Sequence, residues 1–259
     1  MKKRSAFIAG ILSLIPLGQP FFIKTGVVLS TTGLILSVPE NVYANDSVYY
    51  FNLGNEKADK GDHYGAISDF TKAIEINPKD DSAYHNRGVS RETLKQCYKA
   101  IADYFRAIEI KSDRHKSYHG VGNCKSELGD FNGAISAYTK AIEINPSYQS
   151  AYYNRGLEKS NIKDYSGAIA DYTKAIELDP NDAKAFLNRG FAKFELEDPY
   201  GAISEYTKAI EINPNYALGF ANRGSSKEEI GDMQGACADW RKASSLGHES
   251  AAIWVRNQC

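Results

Sequence analysis

Apolar positions recur along this chain with two periods at once. Over short distances they fall at helical spacing. In GAISDFTKAIEINP (65–78), Ala66, Phe70, Ala73 and Ile74 lie on one face of a helix. Over longer distances the phrase itself returns: GAISAYTKAIEINP (133–146), GAIADYTKAIELDP (167–180) and GAISEYTKAIEINP (201–214). Weaker copies are KAIADYFRAIEIKS (99–112) and GACADWRKASSLGH (235–248). The interval is 34 residues throughout and divides the chain into six units: 47–80, 81–114, 115–148, 149–182, 183–216 and 217–250. Below, a position is counted from the first residue of its unit.

Fixed columns predict a helix–turn–helix in every unit, helix A near positions 1–14 and helix B near positions 16–30. Position 8 is always Gly (Gly54 to Gly224) and position 20 always Ala (Ala66 to Ala236), so two antiparallel helices can approach closely. Positions 4 and 24 are always aromatic and fill the space beside that contact. Asp at position 16 (Asp62, Asp130, Asp164, Asp198, Asp232) is placed to cap helix B. Pro at position 32 in four units stops it. One unit cannot bury its own apolar face, so the units must stack.

The period, the Gly, Ala and aromatic columns and the Pro resemble the tetratricopeptide repeat over 47–250. The chain resembles exported bacterial members, cyanobacterial ones among them. The resemblance implies an all-α fold: a right-handed superhelical solenoid of six units, its concave face lined by helix A. Residues 251–259 read as a capping helix over the sixth unit. It also implies a scaffold for a protein or an extended peptide segment, without catalysis or cofactor. Self-association through a terminal repeat is the alternative. No nucleophile–base set or metal motif emerges from the sequence.

Two charged columns depart from the family pattern. Position 7 reads Leu53, Arg87, Val121, Arg155, Arg189, Arg223, and position 23 reads Asp69, Asp103, Ala137, Asp171, Glu205, Asp239. They vary together within units, which predicts the pairs Arg87–Asp103, Arg155–Asp171, Arg189–Glu205 and Arg223–Asp239. Position 11 is always basic (Lys57, Arg91, Lys125, Lys159, Lys193, Lys227) and is expected to reach the Asp at position 16. Aromatics at position 17 or 18 (Tyr64, Tyr98, Phe131, Tyr165, Tyr200) are expected to restore the volume that these lysines displace.

Position 6 carries one amide per unit, Asn52, Asn86, Asn154, Asn188 and Asn222, with Gly120 as the gap. An amide can pair with a peptide main chain without reading its side chains. Tyr153, Leu157, Leu187, Phe191 and Phe194 are expected to line the groove beside this ladder, within an acidic fringe of Asp59, Glu92, Glu127, Glu195, Glu228 and Glu229. Lys116 and Lys184 are too few basic groups for a carboxylate clamp. His85, His115 and His119 share a region but have no fourth ligand in view, so no metal site is assigned.

Composition changes the picture mainly at the N-terminus. Basic and acidic residues nearly balance, 31 against 32, which gives no electrostatic case for nucleic acid. Residues 1–44 begin with Lys2-Lys3-Arg4, continue through two apolar runs and end at Val42-Tyr43-Ala44. They read as an export signal cleaved after Ala44, to the periplasm or an equivalent lumen; an uncleaved membrane anchor is the alternative. Cleavage would remove four basic residues and one acid, turning the net charge of −1 into −4. Four cysteines lie beyond it. Packing of each helix B on the next helix A favours Cys97–Cys124 and Cys237–Cys259 as disulfides, as export would allow. Free buried thiols remain open.

Overall fold

The computed structural model describes residues 27–29, 35–37 and 40–259, with side chains from Asp46 onward. Most of the expected export signal or anchor, 1–44, lies outside these residues. The chain forms two compact units, Met1–Asp46 and Ser47–Cys259. In the first, β1 (Val27–Leu29) and β2 (Ile35–Ser37) pair antiparallel, with Val28 opposite Leu36. Helix α1 (Glu40–Asp59) begins before the first repeat and runs into it.

From Ser47 the described structure is helical. Repeat 1 pairs α1 with α2 (His63–Ile76), and repeat 2 pairs α3 (Asp81–Thr93) with α4 (Cys97–Ile110). Repeat 3 holds α5 (His115–Glu127) and α6 (Phe131–Ile144), and repeat 4 holds α7 (Gln149–Asn161) and α8 (Tyr165–Leu178). Repeat 5 holds α9 (Ala183–Glu195) and α10 (Pro199–Ile212), and repeat 6 holds α11 (Ala217–Glu229) and α12 (Met233–Ser245). Helix α13 (Glu249–Gln258) starts two residues before the predicted cap. Each helix packs on its sequence neighbours, and successive A helices also touch: an α-solenoid.

The small and aromatic columns make the core. The position-24 rings, Phe70 through Trp240, are at most 1 % exposed, and the alanines at positions 20 and 27 are fully buried. A Cβ on Gly156 would sit 2.8 Å from the Tyr172 ring, so position 8 must stay bare. Helix α13 closes the last repeat, with Ala251, Trp254 and Val255 against Phe220, Ala236 and Trp240.

Helix B starts where its cap allows. Asp62, Asp130, Asp164, Asp198 and Asp232 each accept a hydrogen bond from the N–H at position 19, a glycine, at 2.8–2.9 Å. A Cβ at that glycine would collide with the capping carboxylate. Repeat 2 has Gln96 at the cap, makes no such bond, and carries Lys99 at position 19. The cap and the glycine are therefore lost together. Of the aromatics at the start of helix B, Phe131 and Tyr165 at position 17 are half-buried, Tyr165 against the Ala168–Tyr172 core, but those at position 18 do not fill the core as expected. Tyr64, Tyr98 and Tyr200 are 70–78 % exposed, because position 18 points away from helix A.

Candidate functional site

The concave face rests on a buried ionic joint, repeated along the solenoid. Arg155 donates from Nε and Nη2 to Asp171 at 2.9 and 2.6 Å. Arg87–Asp103 and Arg223–Asp239 have the same fork, and Arg189 reaches Glu205 at 2.7 Å. The guanidinium plane lies over the aromatic ring three residues earlier, such as Tyr152 beneath Arg155. The remaining nitrogen, Nη1, crosses to the preceding repeat. It donates to Thr71 from Arg87, Thr139 from Arg155, Thr173 from Arg189 and Thr207 from Arg223, at 3.0–3.1 Å. The joint thus spans two repeats. Repeat 3, with Val121 and Ala137, follows a repeat with Phe105 in place of that threonine, so all three members are replaced together.

The position-11 column is corrected by the structure. Lys57, Arg91, Lys159, Lys193 and Lys227 reach the buried acid at position 23, at 2.5–2.8 Å, rather than the Asp at position 16. A desolvated carboxylate holds the cation more firmly than an exposed cap does. Only Lys125, facing Ala137, turns to its cap Asp130, at 3.3 Å. Asp69 in repeat 1 keeps Lys57 although Leu53 replaces the arginine.

The amide ladder sits above these joints. Asn52 is exposed; Asn86, Asn154, Asn188 and Asn222 are half-buried. Three of them bind sideways through their N–H groups to the preceding repeat. Asn86 donates to Asn55 at 2.7 Å, Asn154 to His119 at 3.0 Å and Asn123 at 3.2 Å, and Asn188 to the Tyr153 hydroxyl at 2.9 Å. The amide oxygens of these three have no hydrogen-bond partner among the described residues. Gly120 interrupts the ladder for a steric reason: a Cβ there would strike the Tyr104 ring of the preceding repeat.

That ring belongs to a polar chain which the sequence reading missed. Tyr104 and Asn123 donate to the two oxygens of Glu92, at 2.5 and 2.9 Å, and Tyr138 donates to Asn123 at 2.9 Å. Core tyrosines at position 24 therefore deliver hydroxyls to the groove floor. The only signal was Tyr, rather than Phe, in four of six units. Burial pushes the phenols of Tyr104 and Tyr138 well above the ordinary tyrosine range, with the nearby Glu92 and Glu158 carboxylates adding to the effect. Glu158, also missed, is buried and accepts from Ser126 at 2.7 Å and Asn161 at 3.0 Å.

The histidines are framework. His85 meets the Ser117 hydroxyl at 2.9 Å, and His115 meets the Asn145 amide at 3.3 Å. Burial pushes His85 and His119 down to about 4 and lowers His115. Because the Asn154 amide N–H donates to His119 Nε2, that nitrogen is unprotonated. No group of three metal-binding side chains occurs among the described residues.

Of the expected apolar lining, Tyr153, Leu157 and Phe194 are half-buried and Phe191 is 41 % exposed, edge-on to Tyr165. Leu187 is corrected: it is 4 % exposed and packs with Ala202 and Tyr206 in the core. Asp59, Glu127, Glu195, Glu228 and Glu229 are exposed on the fringe. Cys97 and Cys124 share one buried cluster but are not bonded to each other; the Cys97 thiol donates to Glu127 at 3.4 Å. Burial raises the pKa of both thiols, which disfavours the reactive thiolate. Cys237 and Cys259 are bonded, their Cα atoms 5.7 Å apart.

Tetratricopeptide repeat models match 48–80, 122–158, 150–182 and 183–216, all within this solenoid. The chain belongs to the tetratricopeptide repeat family. No curated protein matches it in sequence. Among solved structures, MamA is similar at 25 % identity and a TM-score of 0.60, covering 63 % of this chain and 96 % of MamA. YrrB, described as a tetratricopeptide protein with an unusual peptide-binding site, has 24 % identity and a TM-score of 0.64, covering 72 % and 97 %. PilW, described as a type IV pilus biogenesis factor, has 19 % identity and a TM-score of 0.66, covering 77 % and 92 %. Such tetratricopeptide proteins are generally interaction scaffolds rather than catalysts. No helix among the described residues is long and apolar enough to cross a membrane.

Proposed function

We propose that this tetratricopeptide protein is an exported, non-catalytic scaffold that holds an extended segment of a partner protein along its concave face during assembly of a complex. The observation that carries this reading is the row of half-buried amides in which Asn86, Asn154 and Asn188 have their N–H groups fixed sideways while their oxygens stay free. Fixed acceptors in a row suit the main-chain N–H groups of an extended peptide, and little rotamer entropy is left to lose on binding. Tyr153, Leu157, Phe191 and Phe194 supply apolar contact, and the acidic fringe selects basic side chains. PilW, a pilus biogenesis factor, supports export and assembly by analogy, and the Cys237–Cys259 bond is compatible with an oxidising compartment. The test is crosslinking of the mature protein in native extract, read by mass spectrometry. Adducts are expected on groove residues and should disappear in the Asn154→Ala/Asn188→Ala variant. Adducts indifferent to that variant would overturn the reading.

A second reading, self-association, is favoured by Val48 and Tyr49, which are 56 % and 61 % exposed at the first repeat. Helix α13 opposes it by covering the surface such a contact would need at the other end. A molecular mass that rises with concentration would favour it.

A further inference from the structure

Position 14 closes each helix A just before the A–B turn. In repeats 3, 4 and 5 it is Leu128, Ile162 and Leu196, which are 41 %, 41 % and 47 % exposed. Each sits at the C-cap of its helix, so the three recur at equivalent places along one edge of the solenoid. Single exposed leucines need no explanation; an aligned row of them does.

Charge along this edge is unbalanced. Glu195, Glu197 and Asp198 surround Leu196, and Glu228, Glu229 and Asp232 follow on the next turn, all exposed. None forms a salt bridge among the described residues. Their only polar duties are local: Asp198 and Asp232 cap helices, and Glu195 accepts from Tyr165. The outer face of the helix B layer is different. There Lys140–Glu143, Lys174–Glu177 and Lys208–Glu211 neutralise each other at 2.6–2.8 Å. One surface balances its charge internally; along the edge Glu127 and Asp130 beside Leu128 pair with Lys95 and Lys125, but the unpaired acids of repeats 5 and 6 outnumber the exposed Lys163 beside Ile162 and leave the strip acidic.

We propose that this edge of repeats 3 to 6 is a second docking surface, for a basic amphipathic helix of a partner protein. Charge complementarity sets the sign of the partner. Spacing sets its conformation. Packed helices lie roughly 10 Å apart, so the apolar row repeats at about that interval. On an α-helix rising about 1.5 Å per residue, roughly seven residues, two turns, cover the distance and return to the same face. An extended strand covers it in about three residues, and successive contacts would then point to opposite sides. The edge shares the acids Glu195, Glu228 and Glu229 with the fringe of the groove, but its apolar row, Leu128, Ile162 and Leu196, lies outside the amide ladder, so separate variants distinguish the two readings.

The test uses the mature protein and two labelled peptides of one Lys/Leu composition, one with leucines at helical spacing and one strictly alternating. Fluorescence anisotropy should show saturable binding of the helical peptide, weakening as salt rises. It should weaken at least tenfold in Leu128→Ser/Ile162→Ser/Leu196→Ser and stay unchanged in Asn154→Ala/Asn188→Ala. Circular dichroism checks that the edge variant keeps its fold. Equal binding of the alternating peptide, undiminished binding to the edge variant, or loss of binding in the amide variant would each overturn the proposal.

Discussion

Asp171 carries more of the structure than a single arginine partner would suggest. It is 3 % exposed and binds Arg155 and Lys159. Asp171→Ala would strand two cations in a desolvated joint and should cost about 3 kcal/mol in urea denaturation, whereas Lys159→Ala, with Arg155 still in place, should cost under about 1 kcal/mol. Repeat 3 shows how the chain dispenses with the joint. Converting Thr139, Arg155 and Asp171 together to Phe, Val and Ala should recover most of the loss, because an ion pair replaced by packed apolar groups is often neutral. A triple variant as unstable as Asp171→Ala would show that the joint is not a self-contained module. The Arg–acid pairing was legible because both columns change within one unit. The threonine was missed because it changes one unit earlier, and the lysine was misassigned because Asp at position 16 is nearer in sequence than the acid at position 23.

At the scale of one element, the turn between helices stores correctable strain. Position 15 has positive φ in every repeat: Gly61, Gly129 and Gly231 adopt it freely, and Lys95, Lys163 and Glu197 do so at φ near +60°. Lys163→Gly should therefore raise stability by about 0.5–1 kcal/mol, the relieved left-handed strain exceeding the added chain entropy of glycine. Asp130→Ala removes a cap and should cost about 1 kcal/mol. The same substitution offers a contrast in repeat 2, where Gln96→Ala should change little because Gln96 makes no side-chain cap bond. Helix limits were readable from these caps. The glycine at position 19 was not, since its purpose, room for the capping carboxylate, appears only in three dimensions. Helix α13 is a short element tied at its end. Cys259→Ser opens a 22-residue loop, should cost about 3 kcal/mol by loop entropy, and should raise hydrogen exchange first in α13.

The molecule as a whole should lose stability in mild acid. His85 and His119 are held neutral by burial, with folded pKa values of about 4 against about 6.5 in the unfolded chain. The unfolded state then binds protons first as pH falls. The contribution is complete above about pH 6.5 and is lost progressively towards pH 4, by up to about 3 kcal/mol per histidine. His119→Gln should shrink the fall in denaturation midpoint between pH 7.5 and 5; an unchanged fall would place the acid sensitivity elsewhere. The solenoid was legible from its 34-residue period alone, and so was the amide row. What the row offers was not, because the direction of each amide depends on His119, Asn123 and Tyr153 in the repeat before. The central claim is that the concave face, and not the ionic joints or the outer face, receives the partner. A photo-crosslinking residue at Leu157 in the groove, compared with one at Lys174 on the outer face, tests it most directly in native extract. The account predicts discrete partner adducts from position 157 and none from position 174. Adducts from 174 alone, or equally from both, would contradict it.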